Sequence, residues 1–194
     1  MINRRQFLHL GVAMPFFGLA GCSDNKVYHE TIAVFGTLVN ITLYAHTAKQ
    51  AELAFSAVNM RFQQIHTDWH AWEKGGLVSK INQAIADGKS IEINQEVAEF
   101  IRQNQELCMK TQGLFDPGIG RLVKLWGFHQ NNYEGNSSPP PQIVAELLAQ
   151  KPTILDIKWQ DNILHCANPA VSLDFGASGK AYALNAAVST LTEQ

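Results

Sequence analysis

"YHETIAVFGTLVNITLYA", residues 28–45, decides the fold class. Two runs rich in Val, Ile, Leu and Thr meet at Gly36 and read as two strands joined there. Just past them, Thr47 can cap a helix whose apolar positions are Phe55, Val58, Phe62, Ile65 and Trp69, spaced 3, 4, 3 and 4. "HAWEKGG" breaks that helix, "LVSKINQAI" reads as a short helix and "SIEI" as a strand. Asn94 caps the next helix, which is expected to turn Val97, Ile101, Leu107 and Cys108 inward and to stop at Gly113. "PGIGRLVKLWGF" follows as a glycine-opened turn with one or two helical turns, then "HQNNYEGNSSPPP" as a polar surface loop. Pro141 suits the first position of the helix "PQIVAELLAQ". "TILDIKW" and "ILHC" form a hairpin around "QDN", residues 171–175 a further strand, and a final helix opens near Lys180. Neighbouring hairpins interleaved with helices, without internal repeats, predict an α+β fold with a mixed sheet and packed helices.

The chain has 194 residues, 46% apolar and 16% charged, with net charge −2. That suffices for one good core or two small ones, and no basic stripe marks a nucleic-acid surface. Residues 1–22, "MINRRQFLHLGVAMPFFGLAGC", read as an export signal: Arg4 and Arg5, then an apolar stretch too short to span a bilayer. It ends in Leu19-Ala20-Gly21-Cys22, similar to a bacterial lipobox, with Cys22 as the acylated residue. "NRRQFL" is similar to a twin-arginine signal, an ordinary signal with two arginines being the alternative. The expected product is exported and tethered by lipid at the periplasmic face of a membrane, with residues 23–194 as the folded part. Cys108 and Cys166 allow either a disulfide or two buried free thiols.

Three stretches hold the candidate chemistry. In "LDFGASGKAYALN", residues 173–185, Asp174 precedes a glycine turn and Lys180 stands at a helix start, a way of offering N–H groups and a cation to a phosphate. In "TQGLFDPGIGRLVKLWGF", residues 111–128, Leu114, Phe115 and Asp116 follow a helix stop, and further glycines allow close backbone approach. On the residues alone, a helix-to-helix connection with Asp116 as an N-cap and the aromatics as core is the favoured reading of that stretch. In "WHAWEKGGLVSKIN", residues 69–82, Trp69 continues the helical stripe, whereas Trp72 lies in the loop, where it could stack on a ring or close the core. His66 and His70 share a helix face without a third ligand and read as solvated. The seven histidines are scattered and no Ser or Cys sits in an elbow motif, so no nucleophile–base pair is legible.

The order of these pieces resembles the FAD:protein FMN transferases of the ApbE family. Phe35-Gly36-Thr37, an aromatic ten residues before Asn82, "FDP…G.LV.LWGF" and "DFG…GKAYAL" carry the resemblance over nearly all of the chain from Val27. It implies an α+β enzyme that holds FAD in an extended cleft, needs Mg²⁺, and moves FMN onto a threonine hydroxyl of an acceptor redox protein. It also implies hydrolysis of FAD to FMN and AMP as an alternative, and a lipoprotein that binds FAD without chemistry is the rival reading from another class. By motif position, Phe35 stands where the family usually has Met and Trp72 where many members have Tyr. Leu114, Phe115 and Asp116 correspond to a flavin-contacting turn, Asp174 and Lys180 to FAD-binding positions, and the Ala177 carbonyl to a metal ligand. The family's "IAKGYA" is here "SGKAYA". Family members are longer, so the resemblance also implies that this chain is the N-terminal part, with the acidic metal ligands and the far cleft wall beyond Gln194.

Overall fold

Val34 faces Thr37 across a two-residue turn, so β1 (Lys26–Val34) and β2 (Thr37–Ala45) run antiparallel. Both turn residues are left-handed, Phe35 at φ 56° and Gly36 at φ 68°, the combination that matches a hairpin's twist. Glycine adopts it freely; phenylalanine adopts it under strain. The structure is a computed structural model and describes residues 25–70, 75–129 and 138–192. The leader with Cys22, and the loop residue Trp72, lie outside the described residues.

Helix α1 (Ala48–Trp69) starts on a reciprocal cap. The Thr47 hydroxyl accepts from the Gln50 N–H while the Gln50 side chain accepts from the Thr47 N–H, both at 3.2 Å. Phe55, Val58, Phe62 and Ile65 of its stripe are buried as the spacing predicts, and Trp69 is half-buried. Val58, Phe62 and Ile65 close a small core with Ile32 and Val34 of β1 and with Ala183 and Ala187 of the last helix, α6 (Ser178–Thr192).

A larger core gathers around α2 (Leu77–Ala86) and α3 (Gln95–Lys110). They cover an antiparallel sheet in the order β3 (Ile91–Glu92), β5 (Ile163–Cys166), β4 (Ile157–Gln160). Ile81, Ile85, Ile101 and Leu164 are fully enclosed there. Short helices α4 (Gly120–Leu125) and α5 (Pro141–Ala149) complete the α+β order expected from the sequence. Both thiols are buried and free, which selects the second of the two cysteine alternatives. Burial pushes both above the ordinary thiol range.

Two expectations need correction. Leu107 is 44% exposed rather than inward. The inward stripe is Val97, Ile101, Asn104 and Cys108. The Asn104 amide N–H donates to the Phe100 carbonyl at 2.8 Å, while its Oδ1 is buried without a hydrogen-bond partner among the described residues. Residues 171–175 are extended but form no strand; they make one isolated parallel bridge, Ile119↔Ser172. Their backbone bonds go to a turn instead. Ser172 N–H donates to Gly118 at 3.0 Å, Asp174 N–H to Pro117 at 2.9 Å, and Gly120 N–H donates to Ser172 at 2.7 Å. On the other side the Asn82 amide grips Leu173 twice, donating to its carbonyl at 2.9 Å and accepting from its N–H at 2.6 Å.

The two cores meet at four rings. Trp69 stacks on Tyr182 at 4.5 Å and meets Phe100 edge-on at 4.2 Å, while Phe175 packs on Phe100 at 5.1 Å. Tyr182 also donates its hydroxyl to Glu96, which pairs with Arg61. Burial and that carboxylate raise its pKa well above the ordinary phenol value. This cluster anchors the first turns of α6, where Lys180 stands.

Candidate functional site

Helix α3 ends in two left-handed residues, Gln112 at φ 55° and Gly113 at φ 80°, and the Gly113 N–H returns to the Cys108 carbonyl at 2.9 Å. The chain then exposes Leu114 almost completely, at 94%, and half-buries Phe115. Asp116 turns back into the fold. Its Oδ1 accepts from Gly118 N–H at 2.8 Å and from Ile154 N–H at 2.9 Å, tying the turn to the 3-10 turn at Ile154–Asp156. Asp116 is therefore a structural strut whatever else it touches, but not the N-cap expected of it. Ile119 opens α4 without a side-chain cap, and Asp116 instead closes the turn at Gly118 and ties it to Ile154.

The same turn lies alongside residues 172–174, so the "FDPG" and "LDFG" stretches are brought together through the bonds given above. Asp174 sits at the end of the extended segment and is nearly enclosed. Its Oδ1 accepts from Gly176 N–H at 2.8 Å, shaping the entry to α6, and its Oδ2 lies 2.7 Å from His129 Nε2. The two side chains are 11% and 8% exposed. Burial alone would raise the carboxyl pKa, but the His129 bond and the Gly176 N–H outweigh it and hold Asp174 below the usual carboxylate range. Such a group adds stability at every pH above its unfolded value of about 4 and loses it as the pH falls through the lower folded value. Urea midpoints measured from pH 7 downward should thus fall steeply below about pH 4 in the wild type and less steeply in Asp174→Asn.

Sequence reasoning missed His129. The sequence places it at the start of a polar loop, whereas Gly127 at φ 82° turns the chain after α4, with Phe128 exposed and the His129 side chain enclosed. The only signal available was a histidine ending a Gly-aromatic run, which by itself specifies no partner. His66 and His70 also differ from the solvated reading. Both are half-buried, their rings meet at 4.6 Å, and Phe35 packs edge-on against His66 at 5.8 Å because the hairpin turn lies over the last turns of α1.

A cleft of about 560 Å³ opens between α2 and α4. Lys80, Arg121, Lys124 and His129 line it together with Asn82 and Ser172, and no carboxylate is among its described lining residues. Lys180 and Ala177 are exposed on the first turn and entry of α6, beyond the Asp174 bend. Phe35 lies apart, on the hairpin core, where Trp69 and Tyr182 also pack. The described residues therefore join Asp116, Asp174 and the α6 entry into one site. They hold Phe35 at a separate position and leave Leu114 on the surface.

Comparison with known proteins bears on the family and the fold. A family model described as the ApbE family matches residues 35–194. Over 168 residues the chain is 39% identical to an FAD:protein FMN transferase of Rhodobacter capsulatus, covering 84% of this chain and 31% of that protein. Over 163 residues it is 29% identical to one of Klebsiella pneumoniae (strain 342), covering 82% of this chain and 48% of that protein. The apbe protein of Thermotoga maritima superposes with a TM-score of 0.77 at 25% identity, covering 87% of this chain and 53% of the other. Pseudomonas stutzeri flavinyl transferase ApbE, at 20% identity and TM-score 0.74, shares the fold. The chain spans about half the length of these structures, and between 31% and 48% of the two curated relatives.

Proposed function

The chain belongs to the ApbE family, and from that premise we propose that it serves the transfer of FMN from FAD to a threonine hydroxyl of an acceptor redox protein. In this reading the acceptor oxygen attacks the FMN phosphorus and the bond to AMP breaks. A phosphoester forms, and the hydroxyl proton is lost to solvent or base. The chemistry is mostly positioning and charge neutralisation. The observation that supports it best is the joining of "FDPG", "LDFG" and the α6 entry into one place, with Asp174 enclosed and Lys180 exposed just beyond it. Lys180 and the α6 N-terminus would receive the diphosphate, and the cations of the neighbouring cleft favour an anionic ligand. Phe115 would contact the flavin and Asp174 a hydrogen-bonding edge of the nucleotide. For Phe35, which stands apart, for Leu114, which is on the surface, and for Trp72, flavin contact rests on the family resemblance alone.

Magnesium, which the family resemblance implies, takes six oxygens in near-octahedral order. Among the described residues no three of His, Cys, Asp and Glu cluster, and the Ala177 carbonyl alone falls short of such a site. What the chain's own residues supply is therefore binding and orientation. Export, acylation at Cys22 and anchoring at the periplasmic face belong to the same proposal and rest on the leader sequence.

Flavin fluorescence titration of the 194-residue chain tests the binding step. Saturable FAD binding that weakens about tenfold in Lys180→Ala supports the reading, the size expected for one charge-assisted phosphate contact. Unchanged affinity in that variant, or no binding by the wild type, overturns it. Adding magnesium and a threonine-bearing acceptor peptide separates transfer, seen as covalent fluorescence, from hydrolysis to FMN and AMP and from binding alone.

A further inference from the structure

Asp174 is held by two partners of different kinds. Gly176, from its own loop, takes Oδ1 at 2.8 Å; His129, 45 residues away in sequence, takes Oδ2 at 2.7 Å. With the loop contact alone, the carboxylate could pivot about the Oδ1 bond. The second contact removes that freedom. The histidine follows the left-handed Gly127 turn, beyond which Phe128 is exposed and His129 enclosed. His129 also lines the cationic cleft, so the pair stands where the cleft meets the α6 entry.

We infer that His129 is the positioning residue of Asp174, its Nε2–H fixing the carboxylate in the one orientation that receives the dinucleotide. What Asp174 receives rests on the FAD reading; what His129 does rests on the pair's geometry. A carboxylate enclosed to this degree gains from a second donor, and the His129 ring supplies it at 2.7 Å.

The test uses the full chain as wild type, His129→Leu, His129→Gln, Asp174→Asn and the His129→Leu/Asp174→Asn double variant. All are assayed at a temperature where circular dichroism finds them folded. His129→Leu is expected to weaken FAD binding about tenfold. His129→Gln, whose amide N–H reaches the same point, should recover most of it. The double variant should bind no worse than Asp174→Asn alone, because the histidine acts through the carboxylate. Additive losses, no recovery by Gln, or wild-type affinity in a folded His129→Leu overturns the inference.

A second measurement does not depend on FAD: the ¹⁵N shifts of the His129 ring. A protonated Nε2 whose resonance moves in Asp174→Asn upholds the pairing, and a bare Nε2 overturns it. A wild type that fails to bind FAD sinks the flavin reading and leaves this ring measurement to decide the role of His129. If His129→Leu does not fold, the Gln variant and the ring spectrum decide it.

Discussion

Trp69→Ala is expected to lower the free energy of unfolding by roughly 3 kcal/mol or more. Trp69 closes α1 and packs against both hydrophobic cores, so its loss removes contact on two sides at once. Its ring stacks on Tyr182 at 4.5 Å, meets Phe100 at 4.2 Å and Phe175 at 5.5 Å. Aromatic pairs of this kind add about 0.5–1.5 kcal/mol each beyond the area they bury. A second effect follows from the position. With the shared ring gone, the hairpin core and the sheet core lose a common member, so urea unfolding should become less cooperative as well as earlier. Far-UV circular dichroism for the whole chain and near-UV signals for the ring cluster would part company. Trp69→Phe should retain most of the stability. An alanine variant with a wild-type midpoint and slope would show that the two cores do not depend on this contact.

Gly118→Ala should be as damaging, for a different reason. A Cβ there would stand 2.3 Å from the Ile154 nitrogen and 2.6 Å from the Thr153 carbonyl carbon, both backbone atoms. Backbone cannot swing aside as a side chain can, so the turn would separate from the 3-10 turn and strand the Asp116 bonds to Gly118 and Ile154. A loss of about 3 kcal/mol or more, or failure to accumulate soluble protein, is the expected result. Gly113→Ala is the control: its Cβ would meet open space and only the left-handed backbone objects, at about 1 kcal/mol. Equal urea midpoints for the two variants would contradict the close-packing account.

What the sequence disclosed was local. The 3, 4, 3, 4 stripe of α1, the Thr47 and Asn94 caps, the Gly113 stop and Pro141 at a helix start all act within one or two turns, and each stands where its neighbours dictate. What it concealed was carried across distance. The extended 171–175 segment looks like a strand because its residues suit one, yet its partners are a turn and the Asn82 side chain, which no periodicity announces. Asn104 occupies an inward position that an apolar reading gave to Leu107, and its own helix supplies a partner for its N–H only, the Phe100 carbonyl. Asp116 and Asp174 were legible as interesting, but the Ile154 and His129 partners that define them lie 38 and 45 residues away.

The Asn82 grip on Leu173 has one more consequence. A side-chain amide that gives one bond and takes one imitates a peptide unit, but it recognises a single residue rather than a row of equivalent ones. A ladder can slide and re-pair; a lone pin cannot, since a slip by one residue would turn every neighbouring side chain to the opposite side. Asn82 thus sets which way Asp174 faces before any ligand arrives, and α2, which carries the pin, becomes the reference from which the placement of Lys180 is measured.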